Sequence, residues 1–131
     1  MVEKRRREFV HGRHCARLAM SKLGVKAAAV LKNDDRSPAW PAGIIGSITH
    51  THSLAAAVVA PSTHFRGLGL DIEVADALSD DLYPLILRPE ERAKADGMHA
   101  KMLFSIKETI YKCIYPVVGM FVDFQEMGVA L

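Results

Sequence analysis

Apolar side chains recur at helical spacing between Arg13 and Leu23: Ala16, Ala19, Met20 and Leu23 share one face, and Gly24 follows where a C-terminal cap belongs. The spacing predicts a helix there, with Arg13 and Arg17 on its other face. Val25 to Leu31, rich in valine and alanine, reads as a short strand, and Lys32-Asn33-Asp34-Asp35 as a turn. Ser37 to Pro41 holds two prolines and reads as a loop, because proline interrupts helical hydrogen bonding and restricts the residue before it. Ile44 to Thr49 and Leu54 to Ala60 are strand-like runs around the polar segment His50 to Ser53, which suggests a hairpin with that segment at its tip.

Leu68, Leu70, Ile72 and Val74 alternate strictly with Gly67, Gly69, Asp71 and Glu73, the clearest strand signal in the chain. One face of that strand carries only glycines and acids, so another element or a ligand can lie close against it. Pro89 followed by Glu90 and Glu91 suits a helix start. A longer helix is expected from Lys101 to Ile114, with an apolar stripe of Leu103, Ile106, Ile110, Cys113 and Ile114 and with Pro116 ending it. Strand-like pieces follow at Met120 to Phe124 and Val129 to Leu131.

A length of 131 residues, 50% of them hydrophobic and 24% charged, describes about one globular domain with room for a core. The longest nearly apolar run, Leu54 to Pro61, is far short of the roughly 20 residues that span a bilayer. The basic start Lys4-Arg5-Arg6-Arg7 leads into Glu8 and His11 rather than an apolar stretch, so no signal peptide and no membrane are expected, and the cytoplasm is the expected compartment. Cys15 and Cys113 have no zinc-like spacing and read as reduced residues in or near the core. A net charge of +2 is too small to argue for nucleic acid, although the basic residues gathered from Lys4 to Arg17 suit a compact polyanion.

Asp71 and Glu73, two apart on a strand, point the same way, and Glu108 and Lys112 lie one turn apart on a helix. If the two elements pack together, three carboxylates and a lysine meet, a set suited to a magnesium-dependent reaction at a diphosphate. Plainer readings stand beside this one. Acids on a strand face are common; Ser105 to Glu108 has the form of a capping box; and Glu108 with Lys112 has the spacing of an ordinary ion pair along a helix. His50 and His52 lack a third nitrogen or sulfur ligand, which leaves zinc unsupported. His50 beside Ser47 and Thr49, together with Arg5, Arg13 and Lys32, has the chemistry to hold phosphate oxygens, with solvated surface charge as the alternative for each.

Six motifs occur in order: Arg-Arg-Glu-Phe at 6 to 9, Gly-Arg-His-Cys-Ala-Arg at 12 to 17, Trp-Pro-Ala-Gly at 40 to 43, Gly-Ser-Ile-Thr-His at 46 to 50, Gly-Leu-Asp-Ile-Glu at 69 to 73 and Phe-Ser-Ile-Lys-Glu at 104 to 108. In these the chain resembles the 4'-phosphopantetheinyl transferases of the surfactin and enterobactin type, especially actinobacterial members serving polyketide, siderophore and lipid synthases. The resemblance implies an α+β fold of two pseudo-twofold halves, antiparallel sheets packed by helices, within a single domain over 1–131. The first half would cover about 1–66 and the metal-site half 67–131, the second incomplete and the chain shortened at both ends relative to full members.

The resemblance also implies coenzyme A as donor and a serine of an acyl or peptidyl carrier protein as acceptor. Asp71, Glu73 and Glu108 match the family's metal ligands, for magnesium or alternatively manganese. Lys112 matches the lysine that steadies the diphosphate and the departing 3',5'-ADP, and Glu108 or a metal-bound water would take the serine proton. Arg5, Arg13, Lys32 and His50 match positions that hold the phosphoadenosine and diphosphate groups, with Asp71 beside them and with Ser47 and Thr49 lining the same loop. The alternative reading is a coenzyme A or carrier-binding homologue with little or no activity, and unpaired sheet edges favour self-association. A small nucleic-acid binder using Arg5 to Arg7 ranks last, since few aromatics interleave with the arginines.

Overall fold

The computed structural model describes residues 2–26 and 28–131. Helix α1 spans Val2–Lys22, followed by the short strands β1 (Leu31–Lys32) and β2 (Pro38–Ala39) and the longer strands β3 (Ile44–His50) and β4 (Ala55–Pro61). Two single-turn helices, α2 (Tyr83–Ile86) and α3 (Pro89–Arg92), precede the long α4 (Gly97–Val118), and 3-10 turns lie at Asp80–Leu82 and Phe124–Glu126. The class is α+β, as the resemblance implied.

Helix α1 starts well before the expected Arg13, because lysine, arginine and glutamate are good helix formers even without an apolar stripe. Its buried positions Gly12, Ala16 and Met20 stand four apart, a narrow stripe of mostly small residues. Gly24 ends it as expected. With φ of 76° it closes a paired cap in which the Val25 N–H reaches the Met20 carbonyl and the Gly24 N–H that of Ser21.

Of the strand expected at Val25 to Leu31, only Leu31 is in a ladder, with Ala27 outside the described residues. Lys32 is a strand residue, and the turn runs from Asn33 through Arg36 instead. The 44–61 hairpin forms almost as read, in antiparallel register from Ile44 opposite Pro61 to His50 opposite Ala55. Its tip closes as the Thr51 hydroxyl accepts from the Ser53 and Leu54 N–H groups.

The hairpin has a helix on one face: α1 joins Val30, Trp40, Ile44, Ile48, Ala57 and Val59 in one apolar core. Ser47 and Thr49 alternate with Ile48 and so belong to the other face, where residues 67–74 lie. This segment, expected as the clearest strand, joins no ladder among the described residues. Instead the Leu70 N–H donates to the Ser47 hydroxyl at 3.1 Å and the Ile72 N–H to the Thr49 hydroxyl at 3.1 Å. The alternation therefore reports an extended chain correctly, but side-chain hydroxyls replace the backbone partner a strand needs.

Beyond the segment lies α4. A Cβ on Gly69 would sit 2.0 Å from the Thr109 carbonyl oxygen, and one on Gly67 2.3 Å from that of Cys113. The bare face expected to admit a close neighbour thus receives the backbone of α4. Gly69→Ala should destabilise the fold by about 1–3 kcal/mol through overpacking against a backbone that cannot turn aside. Urea unfolding measures this, and an unchanged midpoint would contradict the packing.

Helix α4 begins at Gly97, capped by Asp96, whose carboxylate accepts the His99 N–H at 2.8 Å. The expected start at Lys101 missed this cap. Pro116 does not stop the helix, which runs to Val118 and closes at Gly119 with φ of 68°. So near the end the proline removes one hydrogen bond, and only half a turn follows.

A second core gathers Leu78, Ile86, Leu87, Ala100 and Leu103 with Phe104, Phe124 and Val129. Met120 to Phe124 and Val129 to Leu131, expected as strand-like, form no strand. Phe124 instead opens a 3-10 turn capped by Asp123, whose carboxylate accepts the Gln125 N–H. Among the described residues no helix is long and apolar enough to cross a membrane.

Candidate active site

Packing of α4 on the 67–74 segment brings the two acidic motifs together. Asp71 Oδ1 accepts from Lys112 Nζ at 3.0 Å, and Asp71 Oδ2 from the Ser105 hydroxyl at 2.9 Å. Lys112 also donates to the Leu70 carbonyl at 3.1 Å. The Asp71 side chain is 5% exposed and that of Lys112 28%, so the pair sits at the lip of the site rather than in bulk water. Both plainer readings of the helix motif fail. Ser105 lies inside α4 and caps nothing, and Lys112 pairs with Asp71 across 41 residues rather than with Glu108 one turn away.

Glu73 and Glu108 complete the cluster. Burial, a hydrogen bond with Asp71 and repulsion from Asp71 and Glu108 push the Glu73 carboxyl up to about 7, against the opposing pull of Lys101. Burial raises Glu108 as well, with repulsion from Asp71 adding to it and Lys112 opposing. Three carboxylates thus share one partly buried site in which negative charge is unfavourable. As the side chains stand, no three acids, histidines or cysteines among the described residues are arranged to hold a metal ion. Both Asp71 oxygens are engaged by Lys112 and Ser105.

An acid whose pKa is raised on folding binds its proton more tightly folded than unfolded, so its contribution to stability falls as pH rises from the ordinary 4.5 to about 7. Without divalent cations, the thermal midpoint should therefore climb as pH is lowered from about 8 to about 5, and Glu73→Gln should flatten that slope. Acids held low in the fold, such as Glu91, act in the opposite sense but below 4.5, outside this window. A thermal midpoint indifferent to pH across that range would contradict the cluster.

The other expected site residues are placed unevenly. Ser47 and Thr49 are buried and hold the 67–74 segment through Leu70 and Ile72. Arg13 and Lys32 converge on Phe9, the guanidinium 4.3 Å and the ammonium 5.7 Å from the ring centre, and Arg13 Nε donates to the Val30 carbonyl at 2.9 Å. Partial burial holds the Arg13 pKa below its usual value. His50 is exposed, 3.7 Å from Glu8, in a basic pocket of about 410 Å³ with Lys4, Arg7, His11 and His52. Arg5 is exposed on α1.

Beside Lys112 opens a larger cleft of about 630 Å³, lined by Trp40, Ser47, Ile48, Tyr111 and Tyr115 among others. Across its mouth the Tyr115 hydroxyl donates to Asp35 on the β1–β2 turn at 2.8 Å; hydrogen bonds from Ser37, and then from Tyr115, hold the Asp35 carboxyl low, and the bond to Asp35 raises Tyr115. Trp40, Tyr111 and Tyr115 were not among the expected site residues. The sequence signal for the two tyrosines was available, since Tyr111 and Tyr115 stand four apart and Tyr111 precedes Lys112.

Residues 1–60 match the profile of the 4'-phosphopantetheinyl transferase N-terminal domain, and residues 67–131 that of the 4'-phosphopantetheinyl transferase superfamily. The chain belongs to this superfamily. Among its relatives, the 4'-phosphopantetheinyl transferase Npt of Nocardia iowensis is 38% identical over 130 residues, which is 95% of this chain and 59% of Npt. The 4'-phosphopantetheinyl transferase PptT of Mycobacterium tuberculosis is 38% identical over 131 residues, 95% of this chain and 58% of PptT. Enterobactin synthase component D of Salmonella typhi is 33% identical over 117 residues, 83% of this chain and 48% of that protein. The chain spans about half the length of the curated relatives it matches. In this member of the superfamily, the superfamily match covers Asp71, Glu73, Glu108 and Lys112, while the N-terminal match covers Arg13, Lys32 and His50.

Proposed function

We propose that the chain transfers the 4'-phosphopantetheine arm of coenzyme A to a serine of an acyl or peptidyl carrier protein and releases 3',5'-ADP. The observation that carries this reading is Asp71 clamped between Lys112 and Ser105, with Glu73 and Glu108 against it, in a chain of this superfamily. The name of one relative points to enterobactin synthesis, so carriers of siderophore or related assembly lines are the first acceptors to try.

The carboxylates of Asp71, Glu73 and Glu108 are hard oxygen donors with too little positive charge around them, which fits a divalent cation such as magnesium. When bound, the ion supplies charge neutralisation at the coenzyme A diphosphate. The chain's own groups carry the remaining work. Lys112 turns from Asp71 toward the diphosphate and offsets the charge that grows on the departing 3',5'-ADP. Glu108, whose carboxyl burial raises above its ordinary value, takes the proton of the carrier serine. The serine oxygen then bonds to the β-phosphorus while the bond to the bridging oxygen of the diphosphate breaks.

The cleft by Lys112, walled by Trp40, Ile48, Tyr111 and Tyr115, suits the organic arm of the substrate. Arg13 and Lys32 supply charge for its phosphates. The test is the mass of a purified carrier after incubation with the full chain, coenzyme A and magnesium. Gain of one phosphopantetheine per carrier is expected. No gain, with coenzyme A still bound, would leave a binding protein in place of a transferase.

A further inference from the structure

Behind α4, away from the reacting groups, a lysine is wholly buried. Lys107 is 0% exposed, and its ammonium donates to Glu91 Oε1 at 2.5 Å, the Ile86 carbonyl at 2.8 Å and the Phe124 carbonyl at 3.1 Å. All three of its donors are used. Glu91 is equally committed: Oε1 also accepts the Arg88 N–H at 2.8 Å, and Oε2 the Val129 N–H at 2.8 Å. One ion pair therefore ties α4 to the end of α2, to α3, to the 124–126 turn and to the last residues of the chain.

We infer that the Lys107–Glu91 pair is a positioning device that sets the rotation and height of α4, so that Glu108 and Lys112 meet Asp71. The inference rests on the transfer reading for its consequence in turnover, though not for its geometry. Ala100 and Leu103, the apolar residues on the same face of α4, make contacts without direction and tolerate a small slide. Lys112 cannot set the helix either, since a flexible four-carbon arm can reach Asp71 from several heights.

An ammonium in an apolar core has one acceptable place. Rotation of α4 by one residue, about 100°, or a slide of about 1.5 Å would strand it without acceptors. Lys107 projects roughly opposite to Ser105 and Lys112 around the helix, so what is fixed behind is fixed in front. Glu108 adjoins Lys107 in sequence and inherits its setting directly.

The test replaces both partners by apolar residues of similar size, Lys107→Met with Glu91→Leu, in the full chain. Such exchanges of a buried pair commonly leave stability near or above wild type. The variant should keep its circular dichroism and cooperative melting. Two other readouts should move. Acetylation of Lys112 by an N-hydroxysuccinimide ester, mapped by peptide mass, should rise several-fold in the absence of substrate. In transfer to a carrier, kcat should fall by about 100-fold with KM for coenzyme A changed far less, as expected of misplaced rather than missing groups.

A folded variant in which either readout stays at its wild-type value overturns the inference. If wild type itself shows no transfer, the transfer reading fails, and Lys112 reactivity alone decides the positioning. If the double variant does not fold, Lys107→Arg carries the same two measurements, because it keeps the charge but lengthens the arm against a fixed carboxylate.

Discussion

Asp71→Asn should slow transfer to the carrier by about 10²–10³-fold, the usual effect of deleting one preorganised charged group at a reacting phosphate. The substitution keeps the shape of a side chain that is 5% exposed, removes its charge and turns one of its two acceptor oxygens into an NH2 donor. Lys112 loses the carboxylate that holds it 3.0 Å away, and the Ser105 hydroxyl loses a charged acceptor. Glu73 and Glu108 lose the neighbour that repels them, so both carboxyls should move back toward ordinary values. The measurement is the initial rate of carrier mass gain, alongside circular dichroism to verify the fold. A folded variant that works at the wild-type rate would remove Asp71 from the reaction.

Lys107→Ala should cost about 3–5 kcal/mol of folding stability, since it strands a buried carboxylate and leaves the space of three methylenes and an ammonium unfilled. Glu91 would keep only the Arg88 and Val129 N–H groups. Burial alone pushes the Glu91 carboxyl up; at present the hydrogen bonds from Lys107, Arg88 and Val129 outweigh it and hold it below the ordinary value. Against a total of about 5–15 kcal/mol for a typical domain, such a loss brings the variant close to unfolding. Urea titration reads the effect. A loss under about 1 kcal/mol would equate the pair with an exposed one and contradict its burial.

The parts of this fold that depend on neighbours in sequence were legible. The 44–61 hairpin follows from two strand-like runs around a polar tip, and Gly24 follows from the end of an apolar stripe. The extended course of residues 67–74 was legible too, but not its lack of a ladder. That depends on the Ser47 and Thr49 hydroxyls, which stand 23 residues away. The lengths of α1 and α4 were underestimated for related reasons: charged helix formers carry α1, and the Asp96 cap precedes the apolar stripe of α4.

At the site, the meeting of Asp71 with the α4 motif was anticipated from two face arguments. The direct bond from Lys112 to Asp71 rather than to Glu108 was not. The Lys107–Glu91 pair was missed altogether, because a lysine is ordinarily read as surface. One signal was present: Lys107 falls four residues after Leu103 and seven after Ala100, on the apolar face of the helix. A lysine there needs a buried acid, and Glu91 in the preceding short helix supplies it.

Calorimetric titration of coenzyme A into the full chain, with and without magnesium, tests the central assignment most directly. The arrangement of Asp71, Glu73, Glu108 and Lys112 predicts binding that magnesium strengthens, and that both Asp71→Asn and Lys112→Ala weaken in folded protein. Binding of equal strength in all four conditions would place coenzyme A elsewhere on the chain and contradict the site.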